Sequence, residues 1–212
     1  MKYEEIIRLG SKLPVIETKM LAARQRDKGY MDVQFSRWVK AGKLIQLKRG
    51  MYLLPPAYRK IQAFEPFIAN LIKRPSYLSL EKALEYFGLI PEAVSVYTSV
   101  TTKRQSKFRS AAGVFSYRHI KNSLFWGYAP VTVNRQTALV ALPEKAILDL
   151  FYLKKDKIAG GYIEEMRFQN TDRINIKRLK EFARRFGKKK ITAAARDLAE
   201  YIRAQRREDK KL

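Results

Sequence analysis

"WVKAGKLIQLKRGMYLLP", residues 38–55, changes its period twice within eighteen residues. Upstream of Gly42 the spacing is helical: Met31, Phe35, Trp38, Val39 and Gly42 share one sector at about 100° per residue. Val33, Ser36, Arg37 and Lys40 fall on the opposite side at i, i+3, i+4, i+7, so one face is core and the other is free to touch something. Gly42 supplies a left-handed cap. Lys43 to Lys48 then reads as a strand, with Leu44, Gln46 and Lys48 on one face and Ile45 and Leu47 on the other. Arg49-Gly50 makes a turn, and Met51 to Leu54 returns before Pro55-Pro56 ends the pairing.

Two helices precede this unit. Residues 3–11 place Tyr3, Ile6, Ile7 and Gly10 on one side. Thr18 is the expected N-cap of a second helix running to about Arg26, with Met20, Leu21 and Ala23 inward. Gly29 is expected to break it and Asp32 to cap the third helix. Three helices and a hairpin form the layout of a winged helix-turn-helix, expected over residues 1–56, with Lys48 and Arg49 at the tip of the wing. A major groove about 12 Å wide admits one helix. Arg37 then suits a guanine and Val33 a thymine methyl, while Ser36 and Lys40 set register on phosphates. Gln34 lies on the flank, and Lys43, Lys48, Arg49 and Gly50 complete the candidate DNA-binding set. The other reading of the same pattern is a protein-contact module, or an amphipathic helix beside a hairpin.

Composition agrees with a polyanion partner. The chain has 212 residues and a formal charge of +24. Residues 1–60 hold 14 Lys and Arg against 5 Asp and Glu, residues 61–153 hold 11 against 6, and residues 154–212 hold 19 against 9. Such a field collects nucleic acid without saying which sequence. The absence of cysteine removes disulfides, thiolate catalysis and thiolate metal sites together. No apolar run reaches the roughly 18 residues of a membrane span. The first residues lack the basic start and apolar stretch of a signal peptide, so the expected location is the cytoplasm, without a membrane partner.

Residues 57–212 read as a mixed α+β domain, giving an α+β fold class for the whole. A helix is expected over 61–73, then "YLSLEKALEYFGLIPE" (77–92) as a strand, a Ser79 N-cap and a helix closed by Gly88. Strands are expected at "SVYTSVTT" (95–102), "GVFSYRHI" (113–120), "YAPVTV" (128–133) and "TALVAL" (137–142), followed by the helix "PEKAILDLFYL" (143–153). Two C-terminal basic helices follow, with buried stripes Ile176, Leu179, Ala183, Phe186 and Ile191, Ala195, Leu198, Ile202 on either side of Lys188-Lys189-Lys190. Their outer cations Lys177, Arg178, Arg184, Arg185, Arg203, Arg206 and Arg207 fit either a solvated face or a continued nucleic-acid surface.

The order of "LIQLKRGMYLLP", "YLSLEKALEYFGLIPE", "VYTSVTTKR", "GVFSYRHIKNSLFWGY" and "LPEKAILDLFYL" resembles the AbiEi-type antitoxin family of type IV toxin–antitoxin (abortive infection) systems, over roughly residues 2–153. The resemblance implies a bifunctional transcriptional regulator of phage defence. Its winged helix would bind inverted repeats in its own promoter and repress the operon. Its second domain would oppose a nucleotidyltransferase-fold toxin without needing a stable complex. The promoter-binding role carries over to Val33 through Lys40 and to Lys48, Arg49 and Gly50, and no chemical role carries over to the second domain.

Residues for catalysis are sparse, and a non-enzyme without cofactor or metal is expected. The one histidine, His119, reads as a structural hydrogen bonder, and no dense carboxylate cluster offers a metal site. Glu144 suits the helix start, and Lys145 with Asp149 reads as an i, i+4 pair on an outer face. No phosphate-binding glycine loop is present, and Gly10-Ser11 is followed by no Asp-x-Asp of the toxin type. Thr98, Ser99, Thr101 and Thr102 lead into Lys103, Arg104, Lys107 and Arg109, a candidate second basic patch for phosphate whose other reading, strand propensity followed by a solvated loop, is the commoner one. An RNA-binding or enzymatic protein that uses its winged helix as a docking platform stays open as the alternative.

Overall fold

The computed structural model describes residues 2–22, 28–154, 158 and 160–208. Helix α1 (Tyr3–Gly10) leads through a two-residue strand β1 (Ile16–Glu17) into α2 (Thr18–Ala22) and α3 (Lys28–Lys40), and the hairpin β2 (Ile45–Lys48) and β3 (Met51–Leu53) follows. The three strands form one sheet in the order β1-β3-β2, all antiparallel. Strand β1 is too short for any period to reveal it, and it exists because Ile16 and Glu17 pair with Tyr52 and Met51.

Three expectations about this segment change. Gly29 and Asp32 both lie inside α3 rather than breaking or capping it. Met20 points outward, at 61% exposure. Ala23 and Arg26 lie outside the described residues. The register of the hairpin slips between Gln46 and Lys48, yet the expected two faces hold: Leu44 is buried with Phe35 and Trp38, and Leu47 on the opposite face with Ile45 and Leu53.

The rest of the described chain is built on a mixed six-stranded sheet. Helix α4 (Glu65–Ile72) and strand β4 (Ser76–Leu78) open it, followed by α5 (Leu80–Tyr86), β5 (Val96–Thr101), β6 (Ser106–Ser110), β7 (Gly113–His119), β8 (Tyr128–Val133) and β9 (Gln136–Ala141). Helices α6 (Pro143–Leu153), α7 (Gly160–Glu165), α8 (Ile176–Phe186) and α9 (Lys189–Glu208) complete it. The strand order is β6-β7-β5-β4-β9-β8, with β5/β7 and β4/β9 parallel and the remaining pairs antiparallel. The architecture is therefore mixed α+β.

Helices α5, α6, α8 and α9 bury the largest apolar cluster, which includes Leu84, Val140, Ile147, Leu179 and Leu198. A second cluster lies where the hairpin meets α4 and β7. There Val15, Leu47 and Leu53 pack with Ile68, Leu71, Phe115 and Tyr117, and the Tyr117 hydroxyl donates to the Ala69 carbonyl at 2.5 Å. The hairpin is thus seated on the larger sheet by the same hydrophobic burial that holds each part together.

Candidate nucleic-acid interface

Helix α3 is held from behind by aromatic packing. Phe35 and Trp38 are buried, with ring centroids 5.3 Å apart, and Phe35 meets Tyr52 of β3 at 4.8 Å while Trp38 meets Tyr3 of α1 at 5.5 Å. Rings at these separations fix the rotation of the helix about its axis. The outward face carries Val33, Ser36, Arg37 and Lys40, all exposed, with Gln34 half-buried on the flank. Asp32 is exposed on the same side.

The helix ends as its last residues dictate. Gly42 takes φ 68, and the amides of Lys43 and Leu44 both donate to the Trp38 carbonyl, at 2.8 and 3.2 Å. Lys43 is placed against α1: its carbonyl accepts from the Tyr3 hydroxyl at 2.8 Å and its ammonium lies 5.0 Å from the Tyr3 ring centroid. That leaves its charge at the surface against α1 rather than in a core.

The turn between β2 and β3 projects one cation, not two. Gly50 takes φ 78, and its carbonyl accepts from the Thr18 amide at 3.0 Å, while a Cβ there would stand 3.1 Å from Thr18 Oγ1. Arg49 extends from this turn with its side chain 92% exposed, and reaches Asp32 of α3 at 3.4 Å. Lys48 was expected beside it at the tip. It is instead half-buried, its ammonium donating to the Ile72 carbonyl at the end of α4 at 2.5 Å. Burial pulls the Lys48 pKa down; Glu17 opposes this, and Lys19 and Arg74 add to it. A cleft lies between α3 and the hairpin, lined by Ser36, Lys40, Gln46 and Arg49 as donors and by Asp32 as an acceptor.

The second basic patch lies next to this hairpin. Residues 106–110, expected as loop, form the edge strand β6, which runs beside β2. Lys107 and Arg109 point outward from it, alternating with the less exposed Ser106, Phe108 and Ser110. Lys103 and Arg104 are exposed in the turn before it. Lys73, next in the chain to Ile72, donates to the Arg104 carbonyl and to Ser106 Oγ, so the chain around Lys48 and the patch are stitched together. Burial first, and then Lys103, depress the Lys73 pKa. Two of the four hydroxyls upstream are withdrawn from the surface, while Thr98 and Thr102 are half-buried. Ser99 and Thr101 are buried, and Thr101 Oγ1 donates to the Pro75 carbonyl at 2.7 Å. His119 is exposed, with Nδ1 3.2 Å from the Lys103 carbonyl.

The C-terminal cations divide. Arg178 and Arg206 are half-buried and bonded inward, Arg206 donating to the Thr171 and Ile174 carbonyls, while Arg185 is exposed and lies 4.1 Å from the Trp126 ring centroid. Lys177, Arg184, Arg203 and Arg207 are exposed.

Helix α6 overturns the expectation of an outer-face ion pair. Lys145 and Asp149 are both 0% exposed and bonded to each other. Asp149 also accepts from the hydroxyls of Tyr77 and Ser79 at 2.9 and 2.8 Å, and Lys145 donates to the Tyr77 oxygen at 2.8 Å. The ammonium lies 5.1, 4.9 and 5.2 Å from the rings of Trp126, Phe186 and Tyr77. Burial pushes the Lys145 pKa down and the Asp149 pKa up, and their mutual attraction opposes both. Ser79 occupies the N-cap position of α5 without capping it, because its hydroxyl is turned to Asp149, and the following Leu80 takes φ 54. Glu144 does more than meet a helix dipole. It is fully buried, takes two bonds from Arg178 at 2.8 and 3.1 Å, and accepts from the Asn175 amide at 2.6 Å. Partners this distant in sequence leave no periodic signal.

Every charge of this cluster is satisfied inside the protein, which is the arrangement of a structural network. Among the described residues no group of three or more His, Cys, Asp or Glu could hold a metal ion, and no helix is long and apolar enough to cross a membrane. No protein-family model matches the chain, and no curated protein gives a significant match to it.

Proposed function

We propose that this chain is a sequence-reading DNA-binding repressor joined to an antitoxin domain of the AbiEi type. The observation that carries the DNA reading is the two-sidedness of α3. Met31, Phe35 and Trp38 are buried while Val33, Ser36, Arg37 and Lys40 stand free beside a hairpin whose turn extends Arg49. The element order α1-β1-α2-α3-β2-β3 with strand order β1-β3-β2 supports reading this segment as a winged helix-turn-helix. In that mode α3 enters the major groove, Arg37 takes a guanine edge and Val33 a thymine methyl. Ser36, Lys40, Lys43 and Arg49 grip phosphates, and the cations of β6 extend the grip along the duplex.

The antitoxin half rests on the order of motifs across residues 2–153. In that reading the α+β domain opposes a nucleotidyltransferase-fold toxin encoded alongside, in the cytoplasm, with no cofactor and no stable complex required. Inverted repeats engage two copies of the chain, one per half-site.

Fluorescence anisotropy of the purified chain with its own upstream duplex and with a scrambled duplex, across a salt series, tests the DNA reading. A preference of more than about a hundredfold for the upstream duplex, reduced by about 1–3 kcal/mol in Arg37→Ala, is the expected result. Equal binding that responds to salt alone overturns it and moves the function to RNA. Co-expression with the adjacent open reading frame tests the other half: restored growth supports it, and unrelieved toxicity ends it.

A further inference from the structure

Among the exposed residues of α3 between Met31 and Lys40, Asp32 is the one anion, and it lies on the side that is otherwise cationic or neutral. Its carboxylate faces Arg49 across the cleft at 3.4 Å, with side chains 54% and 92% exposed. When a helix occupies the major groove and the adjacent turn reaches the minor groove, the phosphodiester strand dividing the grooves must pass over the cleft between them. A carboxylate at that place repels the backbone unless its charge is compensated.

Resting on the DNA-binding reading above, we infer that Asp32 is a specificity-determining residue that exchanges partners on the correct site. On non-cognate DNA it keeps Arg49, so the protein grips with one phosphate contact fewer. On the operator Asp32 turns to the exocyclic amine of a cytosine in the major groove, where a carboxylate is the matching acceptor. Arg49 is thereby released to the phosphate strand. Base reading and backbone grip are coupled by one exchange: the bond between Asp32 and Arg49 breaks, and one base contact and one phosphate contact form. An exposed ion pair suits this role, because it is weak enough to be traded.

The test uses the full chain with its upstream duplex, a scrambled duplex, and a series in which each C·G pair of the upstream site is replaced by A·T. Arg49→Ala is expected to lower the salt slope by about 0.9 on the upstream duplex and leave the slope on the scrambled duplex unchanged. Asp32→Ala is expected to tighten scrambled binding about five- to tenfold near 0.1 M salt, because Arg49 becomes available everywhere. Asp32→Asn, nearly isosteric, is expected to shift the preference at one position from cytosine to adenine. Far-ultraviolet circular dichroism confirms that each variant is folded. If the wild type discriminates but Arg49→Ala lowers both slopes equally, or Asp32→Asn leaves every base preference in place, the exchange is wrong and the repressor reading survives. If the wild type binds both duplexes alike, the repressor reading falls and takes the exchange with it.

Discussion

Charges on α3 and charges on α6 are handled in opposite ways. Arg37 and Lys40 stand at the surface of a helix fixed from behind by Phe35 and Trp38, with Arg49 beside them bonded only loosely across to Asp32. Glu144, Lys145 and Asp149 sit on a helix whose residues from Pro143 to Phe151 are all buried, and each is paired. An uncompensated cation at the surface is cheap, because water solvates it, and it can trade that water for a phosphate. A charge inside must carry its partners with it or be neutralised. In a chain of net charge +24, location rather than charge type separates cations free to meet a partner from a structural network.

The largest expected effect breaks the interior side of that comparison. Asp149→Ala strands the Lys145 ammonium with the Tyr77 oxygen and three aromatic rings, and removes the acceptor of two hydroxyls. Urea unfolding is expected to show a loss of about 3–5 kcal/mol. Lys145→Met is expected to lose less, because the remaining carboxylate keeps its two hydroxyl donors and can take up a proton. Equal losses would mean that the pair is not the unit that matters. Arg178→Ala comes next, at about 2 kcal/mol, since among the described residues it leaves the Glu144 carboxylate with the Asn175 amide alone while Arg178 itself is partly solvated. A change within about 0.5 kcal/mol would show that water replaces the guanidinium without loss.

The surface side is broken in a different observable. Arg37→Ala is expected to leave stability within about 0.5 kcal/mol of the parent, because the side chain is exposed, yet to reduce discrimination between upstream and scrambled duplex by about 1–3 kcal/mol. A loss that is equal on both duplexes would turn Arg37 from a base reader into a phosphate contact.

How far the sequence alone reaches follows from the range of each signal. The bounds of α6 match the expected 143–153, since Pro143 suits the first helical position and the apolar stripe is long. Strand β8 matches 128–133 for similar reasons of clear punctuation by Gly127 and the Asn134-Arg135 turn. The outward stripe of α3 was equally legible, being a property of one helix. What stayed hidden depends on distant partners. The outer-face reading of Lys145 and Asp149 failed because Tyr77 and Ser79 lie on β4 and at the start of α5, and α8 and α9 cover the side that one helical wheel leaves open. Strand β6, "SKFRS", is polar enough to read as loop, and it is a strand because β7 pairs with it from Ser106 to Ser110. Lys48 read as a tip cation because no local pattern reveals that α4 ends beside it.

Lys48 sharpens the comparison because it belongs to neither class. It is half-buried, with its ammonium on the Ile72 carbonyl, yet it sits one residue from the exposed Arg49. If the hairpin stays seated on α4 and β6 when DNA binds, Lys48→Met removes one hydrogen bond and nothing else. Stability is then expected to fall by about 1 kcal/mol, and the salt slope on the upstream duplex to move by less than half of one phosphate contact. If the slope instead falls by a full contact, Lys48 leaves Ile72 on binding. The hairpin would then swing away from the α+β domain, and the bond joining the two parts would act as a latch on DNA binding rather than a fixed tie.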